Sequence, residues 1–215
     1  MTIKERYHSV LDIFSRTMPS AESELTWGNE FQLLVAVMLS AQCTDRRVNM
    51  VTPPLFSAYP DALSMSNATA DDIFHYIRSV SYPNSKAAHI VSMCKKLVTD
   101  YDGEVPRSRE ALESLPGVGR KTANVMLAVA FGEAAMPVDT HVFRVSERIG
   151  LTTGSKTPRQ TEDTLCKHIP ASIQGKAHHW LLLHGRYVCT ARNPKCGTCA
   201  LSAVCRHYEK QIKAR

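Results

Sequence analysis

The chain has 215 residues, 44% of them hydrophobic and 21% charged, a globular composition that excludes a disordered or fibrous chain. That length suffices for one large domain or two small ones with a proper core, and the formal charge of +6 suits a polyanionic partner without demanding one. The opening MTIKERYHSVLDIF is charged and amphipathic rather than a secretory leader, and the longest apolar run, Leu33 to Leu39, is too short to span a bilayer.

In chain order the pattern is helix after helix. Residues 3–16 place Ile3, Tyr7, Val10, Leu11 and Phe14 on one face. Residues 29–42 read as a nearly fully buried helix, and Thr44 caps another expected to end near Pro53 and Pro54. Thr69 with Asp72 fits a capping box. Asn84 is expected to cap a helix carrying Ile90, Val91, Cys94, Leu97 and Val98, stopped at Gly103. Ser108 starts a short helix ending at Leu115, and a further helix runs from Arg120 to Phe131, closed by Gly132. Asp139 starts another, Thr157-Pro158 with Gln160 caps the next, and a long helix covers 173–188. No alternating run of strand length occurs, so the expected class is all-α, folded as two lobes.

Three groups of residues carry chemistry. Cys189, Cys196, Cys199 and Cys205 form a C-x6-C-x2-C-x5-C array. Without an export signal, such thiolates serve a structural zinc or an iron–sulfur cluster. Only one pair stands at the tight C-x2-C spacing of a zinc knuckle, which leans toward a cubane and leaves the metal open. Arg192 and Lys195 in its first loop either touch phosphate or belong to a solvated surface.

In LPGVGRKTAN, Gly117, Val118 and Gly119 join two short helices, and the turn suits either an anion at a helix start or close packing. Arg120 and Lys121 follow at the positive end of the helix dipole. That setting and the neighbouring cation both favour a neutral, nucleophilic amine at Lys121, although a lysine that merely binds phosphate is equally compatible. Asp139 in PVDTH is either an ordinary helix cap or a functional carboxylate. His141, His178, His179 and His184 receive no role.

LPGVGRKTAN, then VDTH with its aspartate eighteen residues after the lysine, then the cysteine array resemble the endonuclease III family of iron–sulfur, helix-hairpin-helix DNA glycosylases. LSAQCTD, NSKA and HHWLLLHGRYVC extend the likeness over about residues 28–206. The resemblance implies a six-helix barrel lobe over residues 23–134, with the hairpin at 108–131, and an active cleft between the lobes. The second lobe would join residues 1–22 to 135–215 and hold a [4Fe-4S] cluster on Cys189, Cys196, Cys199 and Cys205. It further implies Lys121 and Asp139 as catalytic residues, and Gln42 as the side chain that fills the gap left by a flipped base. Gly117, Val118, Gly119, Arg120, Arg192 and Lys195 would contact the DNA backbone.

The implied activity is a DNA glycosylase and AP lyase acting on duplex DNA with damaged pyrimidines or abasic sites. A monomer in the bacterial cytoplasm, associated with the nucleoid through DNA and with no membrane role, is expected. One departure stands out: the family's glycine and wedge residue before N-x-K-A are here Ser81 and Tyr82, followed by Pro83. Tyr82 is the expected wedge, and the change bears on lesion preference rather than on chemistry. The rival readings are a mismatch-specific adenine or thymine/uracil glycosylase, relatives that usually lack the lysine, and a non-catalytic iron–sulfur protein that binds damaged DNA.

Overall fold

The computed structural model describes residues 1–213. These residues form α1 (Ile3–Thr17), α2 (Glu30–Ser40), α3 (Asp45–Ala58), α4 (Ala62–Ser66), α5 (Ala70–Ile77) and α6 (Pro83–Tyr101). They continue with α7 (Arg109–Glu113), α8 (Arg120–Val125), α9 (Thr140–Ile149), α10 (Pro158–His168), α11 (Gln174–Tyr187) and α12 (Arg206–Lys213). No strand occurs among them, so the fold is all-α. No helix among the described residues is long and apolar enough to cross a membrane.

The chain divides into two compact units, one of Ser23–Gly132 and one of Met1–Glu22 with the described part of Glu133–Arg215. In the Ser23–Gly132 unit, α6 packs on α4 and α5, α3 on α2 and α5, and α7 on α8. Helix α2 buries Phe31 and every residue from Leu33 through Leu39, as its apolar sequence requires. Arg109 on α7 hydrogen-bonds the buried Asn124 side chain of α8 and ties the two together.

In the other unit, Tyr7, Val10 and Phe14 of α1 join Val142, Val145 and Ile149 of α9 in one core. Two buried polar tips are satisfied there: Tyr7 Oη donates to Leu151 O at 2.9 Å, and Trp180 Nε1 to Met18 O at 2.8 Å.

Three sequence expectations need correction. Helix α3 continues through Pro53 and Pro54 to Ala58, because burying Val51, Thr52 and Leu55 outweighs the backbone bonds the prolines forgo. Helix α6 starts at Pro83, so Asn84 lies inside it and Tyr82 is the cap. Proline suits a first helical position, where its missing N–H would have had no partner. The helix expected over 120–131 is α-helical only to Val125. It widens into a π turn over Met126–Ala130, with Phe131 N donating to Met126 O at 3.2 Å. The short α4 and the terminal α12 escaped the sequence reading.

Helices α9 and α11 meet at Gly185, where a Cβ would stand 2.8 Å from His141 Cβ and 3.0 Å from Val145 Cγ2. Alanine normally stabilises a helix interior relative to glycine by up to about 1 kcal/mol. Here Gly185→Ala should instead destabilise the protein by about 1–3 kcal/mol, read by urea denaturation, because neither helix can yield without disturbing the core.

Candidate active site and metal centre

The turn between α7 and α8 requires glycine at position 117 on two counts. Its φ is +77°, and a Cβ there would lie 2.8 Å from His89 Cβ and 2.9 Å from Met38 Cε. The Val118 side chain is buried and its N–H donates to Leu115 O at 3.1 Å, which anchors the turn. Gly119 is exposed, caps α8 with extended backbone, and brings no side chain to the first-turn N–H groups. Arg120 Nη1 stands 3.6 Å from Glu113 Oε1. Lys121, one residue further along the first turn, is exposed.

Asp139 is the N-cap of α9, as its place before THVFRV suggests. Its Oδ1 accepts the backbone N–H of His141 at 2.9 Å and of Val142 at 2.8 Å. Its Oδ2 lies 2.9 Å from His141 Nδ1. Burial pushes the carboxyl pKa up, but the Val142 N–H, the His141 imidazole and the nearby His178 outweigh it and hold the group below the usual aspartate range. The side chain keeps 21% exposure, so an ionised carboxylate remains accessible. His141 is thus a member of the site that the sequence reading left out. The available signal was its place two residues after a capping aspartate, where an extended cap and the first helical turn bring the two side chains together.

Gln42 and Tyr82 are both exposed and both carry a φ of 54°. Ser81 Oγ donates to Gln42 O at 2.7 Å, linking the loop after α2 to the loop before α6. Lys86, buried in α6, donates through Nζ to Leu39 O and Ala41 O at 2.7 Å each. Neither Ser81 nor Lys86 was singled out from the sequence as a supporting group. A lysine set among the apolar positions Ala87, Ile90 and Val91 was the visible clue.

Cys189, Cys196, Cys199 and Cys205 line one cavity, all as free thiols. They sense one another: burial first, and then the other cysteines, push the Cys196 and Cys199 thiols up. Leu201 N donates to Cys199 Sγ at 3.4 Å, and Arg148 Nη1 to Cys189 Sγ at 3.6 Å. Among the described residues no three His, Cys, Asp or Glu side chains are placed to hold a single metal ion. Four thiols around a common cavity, with N–H groups directed at sulfur, are the surroundings of a polynuclear iron–sulfur cluster.

The buried His184 Nε2 lies 3.6 Å from Cys199 Sγ, a neighbour the sequence reading did not assign. Arg192 and Lys195 are exposed on the loop between Cys189 and Cys196. Each thus sits where a solvated cation or a phosphate contact is expected to sit. Cys43, Cys94 and Cys166 do not line this cavity, and burial pushes the Cys94 thiol up to about 12.

Comparison with known proteins gives these sites a common frame. Residues 35–171 match the HhH-GPD superfamily of base excision DNA repair proteins, and residues 189–205, from the first array cysteine to the last, match the iron–sulfur binding domain of endonuclease III. The chain is 46% identical over 205 residues to endonuclease III of Rickettsia felis, covering 95% of this chain and 96% of the relative. It is 42% identical over 207 residues to the Escherichia coli K12 enzyme, covering 96% and 98%. A solved structure of a trapped endonuclease III–DNA covalent intermediate superposes with a TM-score of 0.93 at 42% identity, over 99% of this chain and 100% of that one. The chain belongs to the endonuclease III family.

Proposed function

We propose that this chain removes oxidised pyrimidines from duplex DNA and cuts the strand 3′ to the emptied site, with Lys121 as nucleophile and Asp139 as its supporting carboxylate. As a member of its family the chain is a DNA glycosylase and AP lyase of base excision repair, and DNA is its partner. The observation that carries the assignment of residues is Lys121 itself: an exposed primary amine in the first turn of α8, directly after the glycine hairpin. The reading includes action as a monomer on chromosomal DNA in the cytoplasm, at damaged pyrimidines and at abasic sites.

The reaction begins when the damaged nucleotide is rotated out of the stack, because its sugar cannot be attacked inside the duplex. Gln42 and Tyr82 enter the duplex in its place. Gly117 and Gly119 present backbone to a phosphate, with Val118 anchoring their turn and Arg120 adding charge. Arg192 and Lys195 contact the backbone elsewhere. The neutral Lys121 amine attacks the anomeric carbon, and the base departs with the electron pair of the glycosidic bond.

The carboxylate of Asp139 stabilises the positive charge that develops on the sugar and assists proton transfer. The sugar ring then opens: the C1′–O4′ bond breaks, O4′ takes up a proton, and the nitrogen lone pair forms the Schiff base, which acidifies the neighbouring sugar carbon. Loss of that carbon's proton expels the 3′ phosphate oxygen, and water then releases the lysine. Cys189, Cys196, Cys199 and Cys205 would hold the iron–sulfur cluster, which when bound would tie down the segment that carries Arg192 and Lys195.

Borohydride added during reaction with thymine-glycol duplex should leave a covalent protein–DNA adduct. Lys121→Gln should abolish adduct and cleavage yet keep most DNA affinity. Release of base without any adduct would transfer the assignment to a monofunctional glycosylase, and lesion binding with neither would make the chain a damage binder. Asp139→Asn should bind comparably and turn over about 10²–10⁴-fold more slowly. A lower melting temperature at an unchanged rate would instead reduce Asp139 to a helix cap.

The carboxyl of Asp139 also fixes a pH dependence. A folded pKa below the unfolded one adds stability above the unfolded value and loses it as pH falls through the folded one. The stability difference between wild type and Asp139→Asn should therefore stay constant from neutral pH down to about 4 and shrink only below it.

For the metal, purified protein should be yellow-brown with about four iron and four acid-labile sulfide per chain. Replacing Cys199 by Ser should bleach it, whereas replacing Cys43, Cys94 or Cys166 should leave the colour intact. Stoichiometric zinc without sulfide would overturn the cluster assignment.

A further inference from the structure

The loops that carry Gln42 and Tyr82 are both held outside ordinary backbone space. At a φ of 54° each residue occupies the left-handed region, which side chains other than glycine enter only at a cost. For Tyr82 the cost is compounded by Pro83, because a proline steers the residue before it toward extended backbone. Burial does not offset it, since Tyr82 is 66% exposed. Such strain persists only where surrounding groups over-determine the conformation, and it concentrates where a protein acts on a ligand.

The restraining groups are specific. The carbonyls of Leu39, Ala41 and Gln42, which carry the chain out of α2, all accept hydrogen bonds from the first turn of α6 or the loop just before it. Lys86 takes the first two and Ser81 takes the third. Lys86 is 8% exposed, so removing it would leave the buried Leu39 carbonyl without its donor and damage the fold. Ser81 is different. It is only half-buried, and its hydroxyl spans 39 positions in sequence to join Gln42 directly to the residue before Tyr82.

We propose that Ser81 is a positioning residue that fixes Gln42 and Tyr82 as a single preformed pair, so that neither loop has to be ordered while the duplex is being opened. The proposal rests on the reading that Gln42 and Tyr82 enter the duplex. Its physical content is entropy. Immobilising two exposed loops during base rotation would oppose an already unfavourable unstacking step, and a pair fixed at folding avoids that loss. Tyr82 then meets the gap in a set orientation relative to Gln42, with an aromatic face that stacks on any base.

The test compares two substrates. Ser81→Ala should slow single-turnover base release from a thymine-glycol duplex about three- to tenfold, the effect of losing one hydrogen bond. Cleavage of a preformed abasic duplex should change by less than about twofold, since less unstacking remains to be driven there. A 2-aminopurine beside the lesion should show slower unstacking, while the melting temperature falls by no more than about 4 °C. Ser81→Thr, which keeps the hydroxyl, should restore the rate.

In a Tyr82→Ala background, Ser81→Ala should add less than about a twofold further loss. Equal slowing on both substrates, no slowing at all, or the full loss recurring without Tyr82 would each overturn the positioning role. Tyr82→Ala alone reads the underlying assumption. If it slows both substrates equally, duplex entry is wrong and the positioning role falls with it. If it is selective while Ser81→Ala is silent, only the proposal about Ser81 falls.

Discussion

The carboxylate of Asp139 sets the start of α9, and α9 positions both α11 and the cysteine loop. Largely withdrawn from water and still ionised, the carboxylate needs donors, and it has three: the N–H groups of His141 and Val142 on one oxygen and the His141 ring on the other. Those bonds start α9 at a defined residue and angle. Because α9 then packs on α11 through Gly185, the phase of one helix fixes the phase of the other. Arg144 reaches from α9 to Gly185 O at 3.0 Å and Cys189 O at 3.2 Å, and Arg148 to Thr190 O at 2.7 Å and Ala191 O at 2.8 Å. One helix therefore carries the catalytic carboxylate proposed here at its start and the anchors of the cysteine loop on its later turns. A rotation of α9 would disturb both together.

The Ser23–Gly132 unit solves a different problem, that of holding exposed residues still. Gly117 does so by close approach, with His89 and Met38 against the bare Cα face of the hairpin turn. The loop of Gln42 is held by hydrogen bonds from Ser81, the neighbour of Tyr82, and from the buried Lys86, and Tyr82 O accepts the Lys86 N–H. In both places the structure accepts a left-handed backbone on the surface and fixes it from below. Rigid support under an exposed working residue is what a site needs if its geometry is to be set before substrate arrives.

How much of this is legible in sequence follows from how far each interaction reaches along the chain. The caps at Thr44, Thr69, Ser108, Asp139 and Thr157 are all present, because each is a bond within three residues and its residue types announce it. The cysteine array and the glycine hairpin are legible because residue type and spacing are themselves the signal. The continuation of α3 past two prolines is not, since it depends on burial that no local pattern records. Neither is the bond from Lys86 to Leu39, 47 residues away, nor the bond from Ser81 to Gln42. Tyr82 as a cap was hidden by Asn84, a better capping residue by type that lost its place to the proline before it. His141 was within local reach of Asp139, and was missed because helix periodicity keeps residues two apart from facing each other. That rule lapses at a cap, where the backbone is still extended.

The two cations at the start of α8 now separate by chemistry rather than by position. Both stand where the helix dipole disfavours positive charge, so neither is there to stabilise the helix. Arg120 lies near Glu113 and bears a guanidinium that stays charged at any physiological pH, which suits it to phosphate and to nothing nucleophilic. Lys121 can release its proton and is exposed on the first turn. Exchanging the two would leave the local charge unchanged and remove the amine from the position that follows the hairpin. A hairpin that needed only charge could carry either residue in either place. On the mechanism proposed here, the order Arg120-Lys121 is fixed by the nucleophile.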